Sequence, residues 1–78
     1  MEVTMRYDLI PFRQGKMVDL GGYAEGDLRY ATQQAILLGQ YGYDSISLEC
    51  NGVIEQVVRF TKQGIKLGIM LDNARKAR

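Results

Sequence analysis

The spacing of apolar residues changes several times along the chain, and each change marks a predicted element. Residues 2–10, EVTMRYDLI, have an apolar side chain at every second position, which is typical of a half-buried strand. The strand is predicted to end at Pro11, because proline cannot donate a hydrogen bond to a sheet. After a turn at positions 13–15, residues 16–20, KMVDL, predict a second, antiparallel strand.

Residues 27–40, DLRYATQQAILLGQ, have the clearest helical pattern in the chain. Asp27 is in a position to cap the first turn, and Gly39 is suited to the end of the helix. An isolated helix of this length is marginal in water, so its apolar stripe is expected to pack on a sheet. That stripe consists of Leu28, Ala31, Ala35 and Leu38.

A second hairpin is predicted after the helix, from residues 45–50 and 53–61. The two strands flank Asn51-Gly52, a dipeptide that favours a two-residue turn because both positions tolerate positive φ. The final apolar stretch, residues 65–71, fits a fifth strand but also the start of a helix. Residues 72–78 are predicted to be a basic tail, helical or frayed.

The two-residue turn creates a conflict in the returning strand. It places Glu55 opposite Leu48 on the helix side of the sheet and leaves three apolar residues on the opposite face: Ile54, Val58 and Phe60. A shift of one residue would turn those three toward the helix at the expense of the simple turn. A β-bulge would reconcile the two patterns, and the sequence leaves the register open.

The order of elements is therefore ββαββ with a fifth strand expected. Strands grouped around a single helix indicate an α+β fold, in which an antiparallel sheet of four to five strands packs on the helix at 27–40. The length of 78 residues fits one small domain, residues 1–78. The predicted core between helix and sheet comprises Leu28, Ala35, Leu38, Ile46, Leu48 and Val57.

Composition narrows the classes of function. The chain is 46% apolar and has a net charge of +1, so neither disorder nor a global attraction to nucleic acid is expected. A single cysteine, Cys50, fits a reducing cytoplasm. No apolar run approaches the ~18 residues of a membrane span, and the polar N-terminus does not predict a signal peptide.

No group of residues predicts catalysis, a cofactor or a metal. Histidine is absent, so Cys50 has no imidazole to activate it and is predicted to be a buried thiol. Asp19, Glu25 and Asp27 are better explained as loop and helix-start charges than as metal ligands. The glycines in 21–26 lack the spacing of a phosphate-binding loop. We therefore expect a protein that is not an enzyme.

Two sets of residues are candidates for contact with a protein partner or with a second copy of the chain. Tyrosine and arginine are enriched at interfaces, and one such set surrounds the predicted helix: Tyr23, Arg29, Tyr30, Tyr41 and Tyr43. The other set is the apolar triplet of the last hairpin: Ile54, Val58 and Phe60. Exposed together, these three would form a patch large enough to favour association.

Basic charge is concentrated at the C-terminal end. Residues 62–78 hold five Lys or Arg against one Asp, whereas residues 1–61 hold five against eight acidic residues. This asymmetry makes a small nucleic-acid-associated protein the alternative function. Its candidate contacts would be Lys62, Lys66, Arg75, Lys76 and Arg78.

The order of motifs also resembles a known group of proteins. A hairpin with GKMV in its second strand, a helix rich in Gln and Ala, and the short-turn meander SISLECNGVIEQVV resemble small phage- or prophage-encoded α+β accessory proteins, some of them anti-CRISPR inhibitors. The resemblance covers most of the chain and is architectural, so it assigns no residue a role. It implies a non-enzymatic module that binds a host protein complex and blocks it.

Overall fold

The structure is a computed structural model that describes residues 4–18 and 21–68. One helix packs on one face of an antiparallel sheet of six strands, which confirms the predicted α+β class. The predicted tail at 72–78 and the end of the last predicted strand lie outside the described residues. The elements are β1 (Met5–Arg13), β2 (Lys16–Met17), β3 (Gly22–Gly26), α1 (Leu28–Leu38), a single 3₁₀ turn (Gly39–Tyr41), β4 (Ser45–Cys50), β5 (Val53–Thr61) and β6 (Gly64–Gly68).

The strands lie in the order β2-β1-β4-β5-β6, and β3 also pairs with β1. Both β2 and β3 use the same edge of β1, because its other edge pairs with β4. The prediction that the first strand ends at Pro11 is wrong. The Pro11 carbonyl accepts a hydrogen bond of 2.9 Å from the Val18 amide, so the missing N–H of Pro11 points toward this edge and not toward β4.

The helix begins where the sequence places it. The Asp27 carboxylate accepts a 2.8 Å hydrogen bond from the Tyr30 amide, which satisfies one free donor of the first turn. Ala31 and Ala35 are fully buried against the sheet. Their small side chains let the helix approach closely, and the helix ends at Gly39, as expected.

The β4–β5 hairpin has both the two-residue turn and, beyond it, the register shifted by one residue; the sequence had left the choice between them open. Asn51 and Gly52 have φ of 54° and 81° and close the two-residue turn between Cys50 and Val53. The ladder then shifts, because Glu49 pairs with Ile54 whereas Leu48 pairs with Gln56. Glu55 is therefore an extra residue in β5, and this β-bulge moves the rest of the strand to the shifted register.

The bulge corrects several predictions about β5. Val58 is fully buried in the core beneath the helix, and Phe60 packs against that core, so the idea that they face away from the helix is wrong. Of that triplet only Ile54 faces away. Val57 is buried but pairs with Ser47 on the opposite face, so its place in the predicted core is also wrong. Gln56 faces the helix instead, where its amide donates a 2.6 Å hydrogen bond to the Thr32 hydroxyl.

The turn supports a first prediction. Gly52→Val should destabilise the fold by about 1–2 kcal/mol, because a β-branched residue resists the positive φ of this position. No neighbouring atom lies within 4 Å of the Cβ that would be added, so the effect should arise from the backbone alone. Gly52→Asn is the matched control, since asparagine tolerates this conformation. Equal urea-denaturation midpoints for the two variants would contradict the turn assignment.

The buried core lies between the helix and strands β1, β3, β4 and β5. Leu28 and Leu38 are partly buried against it, as the sequence predicted for the helix stripe. Burial raises the pKa of the Tyr7 hydroxyl, with smaller contributions from Cys50, Glu55 and Asp27. The buried cluster consists of Tyr7, Leu9, Ala24, Ala31, Ala35, Ile46, Leu48, Cys50 and Val58.

Candidate functional site

An open cleft lies between β1, the start of β3 and the end of the helix, close to the β1–β2 turn. The turn is tied to the segment before β4, because the Gln14 amide donates to the Asp44 carboxylate. The Asp44 amide in turn donates a 2.8 Å hydrogen bond to the Phe12 carbonyl. These bonds join the end of β1, which carries Arg13, to the segment that carries Tyr43.

Two tyrosines that line this cleft, Tyr41 and Tyr43, are both contacted by Arg13, which lies behind them. The Arg13 guanidinium lies 4.9 Å from the centre of the Tyr43 ring, and its Nη2 donates a 2.9 Å hydrogen bond to the Tyr41 carbonyl. The two tyrosine ring centres are 6.4 Å apart, with the ring planes inclined at 51°. One face of the guanidinium thus lies over the Tyr43 ring while one N–H bonds to the Tyr41 carbonyl, so Arg13 links the two tyrosine-bearing positions.

The cleft has a volume of about 240 Å³ and a mainly apolar lining. Pro11 is fully buried and forms part of the floor, whereas the Tyr41 side chain is 59% exposed at the rim. A space of this size fits one large apolar side chain of a ligand. The surrounding residues are Pro11, Gly21, Gly22, Leu38, Tyr41 and Tyr43.

The structure brings together only two of the predicted tyrosine-patch residues. Tyr41 and Tyr43 share the cleft, but Arg29 and Tyr30 lie at the opposite end of the helix, about 18 Å away by helix geometry. Tyr23 lies on the far side of the sheet, where the Arg6 guanidinium is 4.1 Å from its ring centre. A single patch made of all five residues is therefore a wrong prediction.

Sequence reasoning did not identify Arg13 as the basic partner of the tyrosines. The sequence predicts a turn at Arg13, whereas this residue is the last one of β1. Only the pairing of β1 with β4, which sets Phe12 opposite Ser45, places Arg13 beside the residues that precede β4. No signal within either segment alone reports that register.

A second surface is the sheet face opposite the helix, which we call the outer face. Residues that are direct cross-strand partners share a face, so the register assigns its members. Of the three hairpin residues predicted to form an interface, only Ile54 lies on this outer face. The outer face comprises Arg6, Asp8, Ile10 and Phe12 of β1, Met17 of β2, Tyr23 and Glu25 of β3, Ser45, Ser47 and Glu49 of β4, Ile54, Val57 and Arg59 of β5, and Lys66 of β6.

The candidate nucleic-acid contacts are only partly described. Lys66 lies on the outer face directly opposite Arg59, and Lys62 lies in the exposed β5–β6 turn. The other three predicted contacts, Arg75, Lys76 and Arg78, lie outside the described residues.

Within residues 4–18 and 21–68, no three Cys, Asp or Glu side chains are grouped so that they could hold a metal ion. The helix described for this chain is too short to cross a membrane. Comparison with protein-family models, with curated proteins and with solved structures gives no match to the chain.

Proposed function

We propose that this chain is a protein-binding module without catalytic activity, and that it binds its partner through the cleft beside Arg13. The observation that supports this is the apolar cleft lined by Tyr41 and Tyr43, with Arg13 held against both of these residues at its side. Tyrosine and arginine supply much of the energy of known protein interfaces.

The rigidity of the arrangement favours binding. Arg13 is restrained by the Tyr41 carbonyl on one side and by the Tyr43 ring on the other. Side chains that are ordered before a partner arrives lose less conformational entropy on binding, which improves affinity without adding contacts.

The chemistry of the cleft indicates the kind of segment that it would bind. An apolar side chain would fit over Pro11 and Leu38, where it would be removed from water. Arg13 has five N–H donors, of which one is used by the Tyr41 carbonyl, so a carbonyl or carboxylate of the partner could accept another. The proposed ligand is therefore an exposed protein segment with an apolar side chain next to an acidic residue.

Inhibition of a larger assembly is the form of this function that we favour. The order of the sequence motifs resembles small phage- or prophage-encoded accessory proteins, some of them inhibitors, and a small module can act by covering a surface of its target. Such action requires binding energy but no reacting group.

Loss of Tyr41 should weaken binding by about tenfold or more, because tyrosine is enriched among the interface residues whose truncation costs about 2 kcal/mol or more, and a factor of ten corresponds to about 1.4 kcal/mol. The probe is a displayed library of random 12-residue peptides selected on the wild-type protein. The selected peptides are then measured by fluorescence anisotropy against Tyr41→Ala.

Tyr30→Ala is the matched control, because Tyr30 is also exposed but lies at the other end of the helix. We expect it to bind the selected peptides as the wild type does. Equal affinity of both variants for every selected peptide, with both melting curves unchanged, would exclude the cleft as the binding site.

A further inference from the structure

Two turns of the chain have nearly the same backbone conformation but differ in one side chain. Gln14 and Gly15 have φ of 54° and 79° in the turn that joins β1 to β2. Asn51 and Gly52 have φ of 54° and 81° in the turn that joins β4 to β5. The first turn shows that glutamine is compatible with this conformation, so the backbone of the second turn does not require asparagine.

The two side chains differ in their reactivity toward the main chain. Asparagine is a thermolabile residue, because attack of the next main-chain nitrogen on its side-chain amide carbon closes a five-membered ring. The equivalent attack on glutamine closes a six-membered ring, which forms far more slowly. Asn51 is exposed, and no atom outside the neighbouring residues lies within 4 Å of the position that a Cβ on Gly52 would occupy. The turn therefore places an accessible amide next to an unhindered nitrogen.

We propose that Asn51 is a site of spontaneous deamidation, with water as the co-reactant. The Gly52 nitrogen attacks the side-chain amide carbon of Asn51, so that a new C–N bond forms and the bond to the side-chain nitrogen breaks. The displaced nitrogen leaves as ammonia and takes with it the proton of the Gly52 amide. Water then opens the cyclic imide. Opening at the side-chain carbonyl gives aspartate, and opening at the main-chain carbonyl gives isoaspartate.

The β-bulge at Glu55 limits how much of the hairpin must open for this reaction. Ring closure needs a rotation about the Cα–C bond of Asn51 that the closed two-residue turn does not allow, so it occurs when the tip opens. Only two residue pairs lie between the turn and the bulge, and their β5 members, Val53 and Ile54, are 58% and 36% exposed. These pairs can separate while the pairs from Gln56 onward stay closed, so local opening is sufficient.

The two products affect the hairpin differently. Aspartate followed by glycine favours the same two-residue turn as asparagine, so this product adds a carboxylate and leaves the hairpin closed. Isoaspartate carries the main chain through its Cβ, which inserts an extra atom between Cys50 and Gly52 and is incompatible with a turn of this length. Because Glu55 separates the tip from the buried pairs, we expect this product to lose the tip pairing and keep the core.

Peptide mapping by mass spectrometry tests the site. The full chain is incubated in mildly alkaline buffer at physiological temperature and then digested. The peptide that contains Asn51 is expected to exchange its side-chain amide for a carboxyl group, and a protein isoaspartyl methyltransferase identifies the isoaspartate fraction. The peptide that contains Gln14 is the control within the same digest, and it should remain unmodified.

Asn51→Gln is the matched variant for this experiment. Gln14 shows that glutamine is accepted at this φ, so the variant should give the circular dichroism spectrum of the wild type and lose the modification at position 51. A native wild-type chain whose Asn51 peptide stays unmodified would overturn the proposal, and the same chain unfolded in guanidinium chloride shows that the product is detectable. Equal modification of the variant would overturn it as well.

The dependence on denaturant tests whether local opening is sufficient. The rate constant of deamidation should stay nearly constant as guanidinium chloride is raised toward the unfolding transition, because opening of the short tip exposes little surface. It should rise only as the whole domain unfolds. A rate that follows the globally unfolded fraction from the lowest concentration onward would overturn the local mechanism, since the bulge would then not isolate the tip from the core.

Discussion

Leu48→Ala is expected to leave much of the protein unfolded at room temperature or to lower its melting temperature severely. Leu48 is fully buried on β4, between Leu9 of β1 and Gln56 of β5, and it faces the helix. Removal of such a side chain typically costs about 2–5 kcal/mol, since the surrounding residues close the cavity only in part. A small domain has only about 5–15 kcal/mol of stability in total.

Leu37→Ala provides the matched control for this prediction. Leu37 is the same residue type on the helix but is 61% exposed, so its replacement should change stability by no more than about 0.5 kcal/mol. Urea denaturation followed by circular dichroism measures both variants. If the two midpoints shift equally, Leu48 is not in the core.

Gly21→Ala should be the next most damaging change, although the residue is exposed. A Cβ at this position would lie 2.5 Å from the carbonyl oxygen of Leu9. That oxygen belongs to the backbone of β1 and cannot move without disturbing the ladder, so we expect a loss of about 1–3 kcal/mol.

Gly22→Ala separates this steric effect from the general cost of replacing a glycine. Gly22 is the next residue along the chain, and no atom lies within 4 Å of the Cβ that it would gain. Its variant should be as stable as the wild type or slightly more so, because alanine restricts the unfolded chain. Thermal melting of both proteins at equal concentration gives the comparison. A Gly22→Ala variant as unstable as Gly21→Ala would disprove the close approach to Leu9.

The parts of the fold that depend on local pattern were predictable from sequence. The helix with its Asp27 cap and the turn at Asn51-Gly52 follow from short-range preferences, and the structure confirms both. Strand β3 was not predicted, because GYAEG has neither strand composition nor alternation. It forms because β1 offers the edge between Met5 and Leu9, which is a tertiary effect.

The same distinction applies to the candidate site. The sequence identified Tyr41 and Tyr43 by residue type, but their basic neighbour was expected to be Arg29. Arg29 lies in the first turn of the helix, far from both tyrosines, whereas Arg13 reaches them through the pairing of β1 with β4. Register between distant strands depends on packing over the whole sheet, so no single segment reports it.

The extra residue at Glu55 also determines which insertions and deletions the β4–β5 hairpin can accept during evolution. The bulge contains one unpaired residue. The register of the strand pairs next to the turn is therefore independent of the register of the buried pairs from Gln56 onward. Deletion of Glu55 would force the whole β4–β5 ladder into a single register. Either Val58 would then turn away from the helix, or the Asn51-Gly52 turn would be lost. Insertions at the tip, in contrast, would leave the register of β5 beyond the bulge unchanged. The hairpin tip can therefore accept new sequence while the core remains intact.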